Sequence, residues 1–196
     1  MKNEAISIGD RVDGDVLSNR GTRERARVVS LWDFECFGRS GQLKWSEKSP
    51  NMVVNEGLDK LLGVMFAAAT QLTAWHVGLV NGASVTPAAG WIYTGIGSSF
   101  TENTTYTASE RQDFTPGAVS GQSVSNSGSK ASFTVSGSAA ITVCGAFLCA
   151  GPNSHTKGNN SGGNTLYCIS QFTSGAKTLD PADVLKVTVT LTAADA

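Results

Sequence analysis

The chain has 196 residues, enough for one well-buried core and a fit to a single domain with an appended arm. Charged residues make up 16% against a typical ~25%, glycine numbers 22, and the formal net charge is −1. So neutral a chain gives no reason to expect nucleic acid or an anionic membrane as a partner.

Residues 1–27 stand apart from the rest. Lys2, Glu4, Asp10, Arg11, Asp13, Asp15, Arg20, Arg23, Glu24, Arg25 and Arg27 place 11 charges there, six basic and five acidic. Few large apolar side chains accompany them, so the segment cannot bury a core of its own. It is expected as an N-terminal extended arm, either a free terminus or one that orders against a neighbouring subunit. The opening MKNEAISIGD lacks the apolar stretch of a secretory signal. Asp10, Asp13 and Asp15 resemble half of a calcium loop, but the later ligands are missing and a turn is the better reading.

From Val28 the pattern is β. Val28, Trp32, Phe34 and Cys36 share one parity, Gly38–Gly41 turns the chain, and Leu43 and Trp45 alternate on the return, which predicts a hairpin ended by Pro50. The segment Asn55–Val80 follows, and it holds the one convincing amphipathic helix. Leu58, Leu61, Leu62, Met65, Phe66 and Ala69 fall on one face of a 3.6-residue repeat. Asn55 stands at the N-cap position, with Glu56 in the first turn. The helix is expected over 56–69 with its apolar face turned into the core. Trp75, Val77 and Leu79 then alternate with His76, Gly78 and Val80 as a strand. No residue from Leu61 to Thr101 is charged, yet the apolar run Leu61–Ala69 is much shorter than the ~20 residues a bilayer requires.

The second half reads as antiparallel strands. Residues 109–114 form a short one before Pro116-Gly117, and Gln122–Ser127 with Ala131–Ser136 flank Gly128-Ser129 as a hairpin. Ala140–Ala150 is apolar on both parities, the mark of a central strand covered on both faces. Gly151–Asn164 is a long polar loop, Thr165–Phe172 another strand, and Leu185, Val187, Val189 and Leu191 alternate with Lys186 and threonines in the last. The fold class is therefore mainly β: an antiparallel β-sandwich, jelly-roll-like, of about eight strands over residues 28–196 with one amphipathic helix.

The residues that could carry chemistry are sparse. His76 and His155 are the only histidines, and neither has a cysteine or acid at metal-ligand spacing. Cys36, Cys144, Cys149 and Cys168 form no C-x-x-C pair and read as buried free thiols. No G-x-S-x-G is present, and the run Thr94–Ser99 (TGIGSS) lacks the lysine of a phosphate loop. Glu102, Glu110, Asp113, Asp180 and Asp183 lie in or beside loops, where solvation explains them. Trp32, Trp45, Trp75 and Trp91 sit in apolar contexts that favour core packing, although four tryptophans could also serve a carbohydrate-binding module. No catalytic, cofactor-binding or metal residue is expected.

The segment Asn51–Asn81, with N-M-V-V-N-E-G-L-D-K-L-L and then A-W-H-V-G-L-V-N-G, resembles a group of tailed-bacteriophage virion proteins. Gln122–Val135, Val143–Leu148, Gly163–Tyr167 and Asp183–Leu191 are similar to the same group in the same order, so the resemblance covers about residues 42–193. It implies a non-enzymatic structural component of the virion, made in the bacterial host cytoplasm. A capsid decoration or cement protein is the leading expectation, with the major capsid protein and copies of itself as partners. The alternative is a tail, adaptor or fibre-base subunit among other tail proteins.

Overall fold

The computed structural model describes residues 26–195. The expected arm lies outside them, except that Ala26 and Arg27 already belong to the first strand. In chain order the elements are β1 (Ala26–Phe37), β2 (Leu43–Val53), α1 (Asn55–Phe66), β3 (Trp75–Asn81), β4 (Glu102–Asn103), β5 (Gln112–Asp113), β6 (Ser123–Ser125), β7 (Ala131–Thr134), β8 (Ile141–Ala150), β9 (Thr165–Gln171), β10 (Lys177–Leu179) and β11 (Val184–Asp195). The mainly β, sandwich-like class holds, with 11 strands in place of the eight expected. The unexpected pieces β4 and β10, of two and three residues, are too short to leave a periodic pattern in the sequence.

All strand pairs are antiparallel, in the order β4-β3-β8-β9-β2-β1-β11-β6, and the sheet curls so that its two halves share one core. Strand β2 joins the halves. Its residues 43–50 pair with β1, and Asn51–Val53 pair with β9. Pro50 does not end the strand as expected. It sits where β2 leaves one neighbour for the other, a place where a missing ladder N–H costs little.

Alternation sends Trp32, Phe34 and Cys36 of β1 and Leu185, Val187 and Val189 of β11 inward from one half. Val77, Leu79, Ala146 and Leu148 meet them from the other. Strand β8 is buried on both faces, as its sequence predicts. Its opposite side, with Cys144, Phe147 and Cys149, faces a second cluster containing Val85, Tyr93, Ile96 and Phe100. The cover over this outer face is thus the segment 82–101, not the helix. Gly78 makes room for the Phe147 ring of the neighbouring strand, since a Cβ there would stand 2.2 Å from it.

Two further local expectations fail. β6 and β7 do not form a hairpin; they lie end to end along β11, at Thr190–Thr192 and Val184–Val187. Asn126 fills the gap between them. Its side chain accepts from Val189 N at 2.7 Å and donates to Val187 O at 3.2 Å, replacing the missing ladder bonds. The strand expected over 109–114 reduces to Gln112–Asp113.

Candidate functional site

Helix α1 is shorter and less buried than its periodicity implies. It spans Asn55–Phe66, the N-cap is Val54 with no side-chain bond, and residues 67–69 are not helical. Ala68 takes a left-handed φ of 53°, and the Ala67 and Ala69 amides both turn back to the Gly63 carbonyl. The N-terminal end is anchored firmly. Asn55 N donates to Ala89 O, and one Glu56 carboxylate oxygen accepts from Tyr93 N at 2.8 Å and Leu166 N at 2.7 Å. Gly57, the one buried helical residue, lies so close to β9 that a Cβ would stand 2.4 Å from Tyr167 O.

Beyond that turn the apolar face points outward. Leu62 is 54% exposed, Met65 65% and Phe66 80%, against the expectation that this face enters the core. Leu58 and Leu61 are only half-buried and Ala69 is exposed. The reason is geometric: the approach at Gly57 leaves the helix beside the sheet rather than across it, and segment 82–101 already covers the outer face of β3, β8 and β9. A hollow of about 230 Å³ remains between α1 and the loop after it, lined by the apolar Leu61, Val64, Met65, Leu72, Trp75 and Tyr167 together with Lys60 and Gln71. With the exposed residues it makes a largely apolar surface on an anchored element, with Lys60 as the one charged lining residue.

The opposite situation holds around Arg111, which the sequence does not single out. Its guanidinium is fully buried and forks onto Glu102, with Nε–Oε1 2.8 Å and Nη2–Oε2 2.7 Å. Nη1 donates to Tyr93 Oη at 2.6 Å and to Ser154 O at 2.8 Å, and Nη2 also donates to Asn159 O at 2.9 Å. Burial disfavours the charge, but the Glu102 carboxylate more than compensates, so Arg111 stays protonated. This pair pins the polar loop 151–164 to the sheet. Glu102 is therefore a structural acid rather than a solvated one, and Asp183 is too, buried against Lys44 at 2.6 Å. Glu110, Asp113 and Asp180 are exposed, as expected.

The two histidines, far apart in sequence, converge on a cleft of about 520 Å³ between the loops 71–74 and 151–155. Their ring centroids are 6.0 Å apart. His76 is buried, with Nδ1 2.9 Å from Ser154 Oγ and Nε2 3.4 Å from Asp113 Oδ1. Burial pushes the His76 imidazole below its ordinary value of 6.5, against the pull of Asp113 and with His155 and Arg111 adding to it. The Ser154–His76–Asp113 line has the residue types of a nucleophilic triad, which no sequence motif foretold. Ser154 is nevertheless fully buried, and its Oγ also donates to Gly151 O at 2.9 Å. It holds the loop closed and presents nothing to the cleft.

Other candidates fall into place around these. Among the described residues, no three histidine, cysteine, aspartate or glutamate side chains converge to hold a metal. All four cysteines are free and buried, and burial pushes the Cys149 and Cys168 thiols up to about 12, which leaves little thiolate. Of the tryptophans only Trp32 is fully buried, while Trp45, Trp75 and Trp91 are half-buried. No described helix is long and apolar enough to cross a membrane. Comparison with protein-family models and with curated proteins finds no match for this chain.

Proposed function

We propose that this protein is a non-enzymatic structural component of a bacteriophage virion, a capsid decoration protein that binds the head shell through protein–protein contacts. The observation that carries this reading is the exposed Leu62, Met65 and Phe66 face on a helix whose base is anchored by Glu56 and Gly57. An apolar surface held this firmly, beside an uncharged loop, suits burial against a partner. The resemblance of Asn51–Asn81 and the later strands to virion proteins supports the particle as the setting.

The decisive measurement is quantitative mass spectrometry of purified virions separated into heads and tails. A decoration protein is expected in hundreds of copies with the heads, whereas about ten copies or fewer in the tail fraction would replace this reading with a tail or adaptor subunit. Absence from both fractions would overturn it. Particles carrying Phe66→Ser are expected to retain fewer copies than wild type.

A further inference from the structure

A further concave surface shares no lining residue with the hollow beside α1 or with the histidine cleft. It is a cavity of about 470 Å³ between the loop after β3 and the loop before β4, and no charged residue lines it. Trp91 forms one wall. Its ring stacks on Phe100 at 5.3 Å and 19°, and Phe100 meets Phe147 of the second core edge-on at 5.2 Å. The platform is therefore one end of an aromatic ladder anchored in the protein interior. Trp91 is half-buried and reaches the cavity as one of its lining residues.

The polar part of the lining is as specific as the aromatic part. Thr105 N donates to Asn103 Oδ1, which fixes the Asn103 amide, and Asn103 Nδ2 then donates to Asn81 Oδ1 at 2.9 Å. This orients Asn81 with its Nδ2 donors uncommitted among the described residues. The hydroxyls of Ser84, Thr86, Ser99 and Thr101 likewise have no protein partner among the described residues. The loop that carries them is held rigidly. Gly97 N donates to Phe100 O at 2.6 Å, Ser99 N to Gly95 O at 2.7 Å, Asn81 N to Thr101 O at 2.8 Å, and Asn160 Nδ2 to Ile96 O at 2.9 Å. Little ordering remains for a ligand to impose.

We propose that this cavity binds a neutral saccharide. A sugar ring offers an apolar C–H face that matches an open indole, and hydroxyls around its rim that both donate and accept. Amide and hydroxyl groups without any lysine, arginine or carboxylate select an uncharged sugar over an anionic one. Trp91 is the stacking residue, and Asn81 with Thr86 and Thr101 supplies the directional hydrogen bonds. Trp75 offers no comparable platform, since it packs edge-on against Tyr167. The proposal does not depend on the virion reading and can stand or fail without it.

The test is a titration of the full chain with maltotriose, cellotriose, mannotriose and chitotriose, followed by amide and indole NMR, with 3′-sialyllactose as the anionic control. At least one neutral trisaccharide is expected to give saturable shifts centred on the Trp91 indole and the amides of Ser99 and Thr101. Trp91→Ala is expected to weaken that binding about tenfold or more, while Trp91→Phe retains most of it. Asn81→Ala gives an independent check if the Trp91→Ala protein is unfolded, with a severalfold loss expected. No saturable shift from any of the four, shifts centred on Trp45 or Trp75, or tighter binding of sialyllactose would each overturn the proposal.

Discussion

Helix α1 and the loop 151–164 are both attached to the outside of the same curled sheet, and they are attached in opposite ways. The helix carries the strongest apolar pattern in the chain, yet only its first turn is fastened, by Gly57 against Tyr167 and by Glu56 to two backbone amides. The loop is almost devoid of apolar residues, yet it is held by a buried guanidinium with bonds to Ser154 and Asn159 and by the His76–Ser154 contact. Apolar periodicity thus reports that a surface wants to be covered, not what covers it. A polar loop, conversely, can be among the firmest parts of a fold when an ion pair is buried beneath it.

This contrast can be broken from the loop side first. Arg111→Met leaves Glu102 buried without its partner and is expected to destabilise the protein by about 3–5 kcal/mol in urea unfolding. The paired change Arg111→Met with Glu102→Leu should recover much of that loss. Failure of the single change to destabilise would mean that the loop is held by something else.

Gly57→Val tests the helix side. The new side chain has no room against the Tyr167 backbone, so a cost of about 1–3 kcal/mol is expected. The effect should be local: hydrogen exchange is expected to quicken in Asn55–Phe66 while the amides of β8 stay protected.

The two attachments should also respond differently to pH. His76 has a folded value depressed below its ordinary 6.5, so it contributes stability fully present above that pH and progressively lost as pH falls below it. Unfolding measured from pH 7 down to about 5.5 is expected to show this decline, with faster exchange at 151–156, and His76→Gln should flatten it. Exchange in α1 should not follow the same curve.

The smallest effect on stability is expected at the tip of the helix. Phe66→Ser removes a side chain that is 80% exposed, and the unfolding midpoint should move by no more than about 0.5 kcal/mol equivalent. On the proposed reading its consequence is expected in association instead. A large loss of stability would show that Phe66 is covered within the same chain.

Much of the strand architecture was legible because burial on a sheet imposes period two, or a continuous run when both faces are covered. β1, β3, β8, β9 and β11 all lie where alternation or apolar density puts them. What escaped were features made by partners distant in sequence. Asn126 replaces ladder bonds along β11, β2 changes neighbours at Pro50, and Arg111 meets Glu102 inside the protein. None leaves a local signature, since an asparagine, proline or arginine in a loop-like context reads as solvated or turning. Of the candidate surfaces, the apolar residues of α1 and the Trp91 indole could be named from sequence, but their exposure could not.

The segment Asn55–Val80 shows where the division falls. Its residues alone determined that a helix would precede a strand, because spacing along the chain sets which side chains share a face. Only the tertiary structure decided which way that face would look. The close approach at Gly57 and the prior claim of Tyr93, Ile96 and Phe100 on the outer sheet turned it outward, since space beside a sheet can be occupied only once.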